Sequence, residues 1–375
     1  MREYEVVVVG GGPAGLCAAR EVGSHGAEVL LLDRNARVGG QLIKQTHRFF
    51  GSRGQHAGTR GIDIVDILLG DIEDCARVVI SPDSDVLGYY SDGVLSYHKD
   101  DVYHKVRPQR LVVATGASER PLSFPGCDLP GVYGAGAVQT LMNVHGVRPG
   151  KRVLMIGSGN IGLIVSYQLM QAGVEVAAII EAASSIGGYS VHASKVRRLG
   201  VPILTSHTVA GAIGDEYVEG ATLVQLDADW QPVAGTETEV ECDAICLAVG
   251  LSPLADLLWQ AGCTMGWVPE LGGYVPTSDE TMSTSVSGIY VAGDARGIEE
   301  ASAAMMEGTI VGLSCAHSLG YVEDDTYRER YEEIAGELDA LRSGPTGGKI
   351  RSGLEKLGCV CPRQQVLVEG SDDCC

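Results

Sequence analysis

Two sets of glycines carry the most legible chemistry in this chain. Gly10, Gly12 and Gly15 stand at G-x-G-x-x-G spacing around Pro13 and Ala14, and Gly157, Gly159 and Gly162 repeat the spacing around Asn160 and Ile161. In such a turn the first glycine permits a tight bend and the second lets backbone N–H groups approach a pyrophosphate. The third lets a helix pack closely on a strand, and the helix N-terminus stabilises the anion. Each set is followed by an apolar run that ends in a carboxylate, Asp33 after residues 29–32 and Glu181 after residues 176–180. A carboxylate at that place can bind ribose hydroxyls. One fingerprint is weak; two, each with its acid, read as two dinucleotide sites. After Glu181 comes Ala182-Ala183-Ser184-Ser185, with no nearby arginine. A 2′-phosphate calls for Arg or Lys there and Glu181 would repel it, so the second site is expected to take NAD(H) rather than NADP(H).

The elements that must position these groups follow from the pattern around them. Val6 to Val9 form a β-branched apolar run too short for a helix, which predicts a strand buried on both faces, and residues 16–19 open a helix. The same order returns with a strand at 152–156 and a helix through 163–172. Between the two, 77–80 read as a strand, 85–106 as a small antiparallel meander and 111–114 as a buried strand ending at Thr115-Gly116. Residues 118–132, with Pro121, Pro125 and Pro130, read as a crossing linker. Strand signals continue at 201–204 and 223–226, and the run 244–250 ends at Gly250. The strand 288–294 ends in Gly293-Asp294, followed by a small-residue helix over 301–318. Gly39 and Gly40, soon after Asp33 and Arg34, would let backbone pass close to a bulky ligand.

Bulk composition narrows the partners. The chain has 375 residues, enough for two or three domains, and its 28 basic against 48 acidic residues give a formal charge of −20. That balance argues against nucleic acid or an anionic membrane surface. There is no signal-peptide layout at the N-terminus and no run of membrane-span length, so a cytoplasmic location is expected. Seven of the 11 cysteines are scattered singly, as reduced thiols are. Residues 325–342 predict an amphipathic helix stopped by Ser343-Gly344-Pro345, packed either on its own domain or on a separate partner chain. No metal site is expected, apart from Cys359, Cys361, Cys374 and Cys375 as candidates for a metal or iron–sulfur cluster, whole or shared, with a plain tail as the other reading.

Taken together, Gly10 to Gly15, Asp33, Gly39-Gly40-Gln41, Ala114-Thr115-Gly116, Gly157 to Gly162 and Gly293-Asp294 resemble the two-dinucleotide flavoprotein oxidoreductases of the pyridine nucleotide–disulfide reductase fold. The resemblance implies an α/β protein of two Rossmann-like three-layer domains, the NAD domain (121–249) inserted into a discontinuous FAD domain (1–120 and 250–320), with a C-terminal helix and tail (321–375). It implies that FAD takes the first site, that Asp294 hydrogen-bonds the ribityl chain, that Ser302 and Ala303 face the flavin, and that the Val86 backbone meets adenine. Residues 44–51, basic and aromatic, read either as a wall against the flavin or an anionic substrate, or as a solvated loop; Gln41 and Lys44 are the guesses for residues near flavin N5.

One departure is informative. Disulfide reductases of this fold carry a cysteine pair beside the flavin, and neither 133–143 nor 39–50 contains a cysteine. Thiol-disulfide chemistry is therefore not expected. Without the pair the chain resembles flavoprotein α subunits of multi-subunit amine and amino-acid dehydrogenases, the proline or hydroxyproline dehydrogenase, opine oxidase, hydrogen cyanide synthase and sarcosine oxidase groups. The shared stretches are Gly39-Gly40-Gln41 with its basic loop and residues 125–133. This resemblance implies hydride exchange between NAD(H) and FAD in an electron-transferring subunit of a hetero- or homo-oligomer. Its partner would be a small-molecule substrate or another flavoprotein or iron–sulfur subunit. The alternatives are a stand-alone NADH oxidase or flavin-dependent reductase of a small molecule, and a non-catalytic dinucleotide-binding subunit.

Overall fold

The computed structural model describes residues 1–49 and 53–358. It divides into two compact units, the first made of residues 1–43, 48–118 and 252–375 and the second of 44–47 and 119–251. In the first unit β1 (Arg2–Val9), α1 (Pro13–Ser24), β2 (Val29–Leu32), α2 (Gly61–Glu73) and β3 (Val78–Ser81) lead into the hairpin strands β4 (Asp85–Tyr89) and β5 (Leu95–Lys99) and the long β6 (Val102–Val113). After β7 (Ala117–Glu119) the chain builds the second unit: β8 (Val132–Gly134), α3 (Ala135–Asn143), β9 (Arg152–Ile156), α4 (Asn160–Gln171), β10 (Glu175–Glu181), α5 (Ser190–Arg198), β11 (Ile203–Thr205), β12 (His207–Ile213), β13 (Gly220–Gln225), β14 (Thr238–Glu241) and β15 (Ala244–Leu247). It returns through β16 (Leu251–Pro253), α6 (Asp256–Gln260), β17 (Met265–Val268), β18 (Gly273–Pro276), β19 (Ile289–Val291), α7 (Ala301–Ser318), α8 (Asp324–Leu341) and α9 (Pro345–Gly358).

In the first unit β3, β2, β1, β6 and β19 run parallel in that order, and β5 and β4 extend β6 as an antiparallel meander. The valine run explains itself by alternation. Val6 and Val8 face α1, α2 and α7, whereas Val7 and Val9 face the meander and Leu257 and Leu258 of α6. Both faces are dry, so the strand needs no polar alternation. Each buried valine side chain contributes on the order of 1.5–3 kcal/mol by removal from water. The second unit repeats the plan with the parallel order β11-β10-β9-β15-β8. Val153 and Met155 pack with helices α3, α4 and α5, while Leu154 and Ile156 pack toward the antiparallel sheet β12-β13-β14. The expected mixed α/β class and the three-layer plan of each unit are thus present.

The C-terminal segment holds one surprise. α8 lies where the apolar spacing puts it, with Ile334 and Leu338 buried against the first unit's core. Ser343-Gly344-Pro345 ends it, but Pro345 then opens α9, a position where its missing N–H costs nothing. Ile350, Leu354 and Leu357 of α9 cluster with Val268, Leu271 and Val275. The expected tail is a second helix up to residue 358, and Cys359, Cys361, Cys374 and Cys375 lie outside the described residues.

Candidate dinucleotide sites

In the first unit, β1 ends at Gly10, whose φ of +104° an L side chain rarely adopts and where a Cβ would lie 2.2 Å from the Ala114 oxygen. A Cβ on Gly15 would fall 1.8 Å from the Gly10 carbonyl oxygen, so only glycine lets α1 pack this closely on the turn. Gly12 is the N-cap of α1 and Pro13 its first residue, with no side chain capping the helix. The first-turn amides are therefore available to an anion. A Cβ on Gly12 would find its nearest atom, the Gly40 Cα, at 3.8 Å, which leaves open space above the turn.

Asp33, 6 % exposed, is held by the turn it serves. Its Oδ2 accepts the Gly11 amide at 2.6 Å, and Oδ1 accepts Asn35 N and Nδ2 at 2.8 and 2.9 Å. Gly39 donates to the Gly11 carbonyl at 2.6 Å, laying Gly39-Gly40 against the turn. Gly293 closes the other side, since a Cβ there would stand 3.0 Å from the Ala14 Cβ and 3.5 Å from that of Ala304. Asp294 is half-buried, and loss of hydration around its carboxyl raises it to about 6. Ser302 and Ala303 are buried in the first turn of α7. The Thr115 hydroxyl donates to the Leu254 carbonyl at 2.6 Å, and Gly116 has a φ of +77°. Val86, half-buried on β4, follows Asp85, whose carboxylate lies 3.8 Å from exposed Arg34. Gln41 is exposed in a short 3-10 turn.

The second unit reproduces the constellation. Gly157 has a φ of +105°, a Cβ on Gly162 would lie 2.1 Å from the Gly157 oxygen, and Gly159 caps α4 with nothing within 4 Å of the Cβ it lacks. Glu181 Oε2 accepts Ser158 N at 2.9 Å and Ser158 Oγ at 2.7 Å, and Oε1 accepts Ala183 N at 3.1 Å. Asn160 and Ile161 begin α4, and the Gly250 carbonyl accepts Arg120 N at 3.0 Å.

The structure adds a loop that the motif reading passed over. Ile186-Gly187-Gly188-Tyr189 stands five residues after Glu181, as Val38-Gly39-Gly40-Gln41 stands five after Asp33. Gly188 donates to the Ser158 carbonyl at 2.9 Å, Gly187 to Ser158 Oγ at 3.2 Å, and Tyr189 N to Asn160 Oδ1 at 2.8 Å. The shared spacing was the available signal.

Lys44 is engaged within the second unit. Its Nζ donates to the Gly136 carbonyl at 3.0 Å and Thr140 Oγ1 at 3.4 Å, its carbonyl accepts Asn143 Nδ2 at 2.7 Å, and burial lowers its pKa. Residues 44–47 are half-buried and not a solvated loop; Thr46 Oγ1 accepts Gln168 Nε2, and burial, with His192 and Lys195 nearby, depresses His47 to about 4. The N-terminus of α3 is covered by Glu119, which accepts Gly136 N at 2.6 Å and Ala137 N at 3.3 Å.

Seven cysteines lie among the described residues, and all are free. Burial raises Cys17 and Cys242 to about 11 and moves Cys246 and Cys315 further up. These are resting thiols, the reverse of a reactive thiolate. No cluster that could hold a metal occurs among the described residues, and none of their helices is long and apolar enough to cross a membrane.

The sequence profile of the family described as "Pyridine nucleotide-disulphide oxidoreductase" matches residues 4–308. An opine oxidase subunit of Agrobacterium tumefaciens is 29 % identical, over 86 % of this chain and 67 % of its own length. The HcnB subunit of hydrogen cyanide synthase from Pseudomonas aeruginosa is 28 % identical, over 98 % and 82 %. The alpha subunit of sarcosine oxidase from Corynebacterium is 27 % identical, over 84 % of this chain but 33 % of its own. Among solved structures, L-proline dehydrogenase from P. horikoshii superposes with a TM-score of 0.68 at 26 % identity, covering 88 % of this chain and 59 % of that one. Thioredoxin reductase from T. acidophilum reaches 0.70 at 22 % identity, covering 85 % and 100 %, which is a likeness of fold.

Proposed function

The chain belongs to the pyridine nucleotide-disulphide oxidoreductase family, and from that premise we propose a flavoprotein that binds FAD on the first unit's turn and NAD(H) on the second's. It works as the electron-transferring subunit of a multi-subunit dehydrogenase for a small amino-acid-like or amine-like substrate. The observation that carries this reading is the duplication: two uncapped helix N-termini, each behind a close-packed glycine turn and each with a carboxylate tied to that turn. A single cradle would suit one nucleotide; two suit a pair that exchanges electrons.

The residues present fit the two nucleotides. Open space over Gly12 and Gly159 leaves room for a pyrophosphate against free amides. Asp33 and Glu181 keep lone pairs for ribose hydroxyls after serving their turns. Gly293 packs against Ala14 of the first turn, and the Thr115 amide lies close to Gly10. On this reading Asp294, Gly116, Ser302, Ala303, Val86 and Arg34 complete the FAD contacts. Bound FAD supplies hydride chemistry, so the chain's own task is to bind, orient and exclude water.

Three of the relatives above bear names that call them subunits, which supports a partner for this chain. The buried, protonated thiols support an activity that runs without a dithiol. Purification with and without co-purifying protein, followed by anaerobic NADH and a panel of amines and amino acids, tests the whole reading. Bleaching by an organic donor only in the presence of a second protein supports the subunit role. Bleaching by NADH with rapid air reoxidation and no partner points to a stand-alone oxidase.

A further inference from the structure

Behind Gly293 and Asp294 lies a buried set of charges that reaches into the C-terminal helices. Glu307 of α7, 4 % exposed, accepts the Gly293 amide through Oε2 at 2.9 Å. Its Oε1 accepts Arg296 Nη1 at 2.6 Å and Arg342 Nη2 at 2.7 Å. Arg342 also donates Nε to both oxygens of Glu299 at 3.1 Å and Nη2 to Oε2 at 2.6 Å. The Glu299 amide donates to Asp294 Oδ1 at 3.3 Å. Arg342 stands at the C-cap of α8, and its carbonyl accepts Arg351 of α9.

Two guanidiniums and two carboxylates leave this quartet without formal net charge. A buried quartet is a poor way to add stability, because desolvation opposes the attraction. What a planar, forked guanidinium offers is fixed geometry. Here the fork grips both ends of one loop, Gly293 through Glu307 and the Asp294 side through Glu299.

We propose that Arg342 is a positioning residue of the flavin site, by which the C-terminal helices set the placement of Gly293 and Asp294 for FAD. The inference rests on the reading of that loop as a flavin contact. It makes α8 and α9 part of the cofactor site and not merely a packed appendage. A lysine cannot bridge the two carboxylates in this way, so Arg342→Lys keeps the charge and loses the grip.

The test compares FAD affinity of the apoprotein with melting temperature in four proteins: wild type, Arg342→Lys, the charge-balanced Arg342→Gln/Glu299→Gln, and Ile334→Ala. The last removes a buried contact of α8 away from the quartet. Expected is a loss of FAD affinity of about tenfold or more in both Arg342 variants, with Ile334→Ala within about twofold of wild type at an equal or lower melting temperature. If the Arg342 variants bind FAD no worse than Ile334→Ala, the inference is overturned. If neither Arg342 variant folds, Glu299→Gln must weaken FAD at an unchanged melting temperature, and full affinity there overturns it too. A wild-type chain that takes up no FAD refutes the cofactor reading, and the inference falls with it.

Discussion

The Glu181 carboxylate accepts both the amide and the hydroxyl of Ser158, at 2.9 and 2.7 Å. The acid therefore shapes the second turn, and in the proposed NAD(H) site it would also meet the adenosine ribose. Its negative charge opposes a 2′-phosphate, so flavin reduction should favour NADH over NADPH by about tenfold or more in stopped flow. Glu181→Gln, which keeps the hydrogen-bonding shape, should narrow the ratio mainly through better NADPH binding. Equal rates with the two nucleotides in the wild type would remove the argument from Glu181.

The two glycine contacts allow the sites to be separated. Gly15→Ala places a methyl 1.8 Å from the Gly10 oxygen, and Gly162→Ala places one 2.1 Å from the Gly157 oxygen. The first should cut the FAD content of the purified protein severely. The second should leave FAD in place and raise the NADH concentration needed for reduction by about tenfold or more. Absorbance at flavin wavelengths and a reduction titration read the two outcomes independently.

Asp294 makes a pH prediction with a definite sign. Burial lifts its carboxyl from 3.8 to about 6, with Glu307 and Glu299 adding to the rise. The folded chain thus holds a proton that the unfolded chain releases between those values, so this group favours folding at low pH and the contribution is lost as pH rises through 6. Asp294→Asn should stabilise the apoprotein at pH 8 by about 1–3 kcal/mol and leave it unchanged near pH 3.5. The same variant should weaken FAD binding, which separates a functional acid from a structural one. Chemical denaturation at the two pH values, with and without FAD, measures both.

Thiols should be dispensable for nucleotide-driven reduction. Cys75 and Cys127 are the two described cysteines that are not fully buried. The double variant Cys75→Ser/Cys127→Ser should reduce its flavin with NADH within about twofold of wild type. A collapse of the rate with an unchanged melting temperature would implicate a thiol.

Much of this arrangement was legible because it is local. The glycine spacing, the acid at the end of the strand after each glycine turn, and the small-residue character of α7 all sit within a few turns of chain. Gly308 shows why α7 is so built, since a Cβ there would lie 2.1 Å from the Ala14 oxygen of α1. What escaped is non-local. Arg342 meets Glu307 from 35 positions away, and α9 exists because Leu271, far upstream, offers it an apolar seat. Ser343-Gly344-Pro345 read as a stop and does end α8, but that Pro345 also opens a helix running through Gly347 and Gly348 depends on the packing of α9 against Leu271. Lys44 belongs with Gly136 and Thr140 of a different sequence region, a pairing that no local pattern announces.

The central claim is that one chain carries two cooperating nucleotide sites. Its most direct test is an anaerobic titration of the purified protein with NADH, followed in the flavin absorption bands. The account predicts a bound FAD spectrum that bleaches on adding NADH, and that fails to bleach in Gly162→Ala at the same concentration. A protein without flavin, or a flavin that stays oxidised in excess NADH, would contradict it.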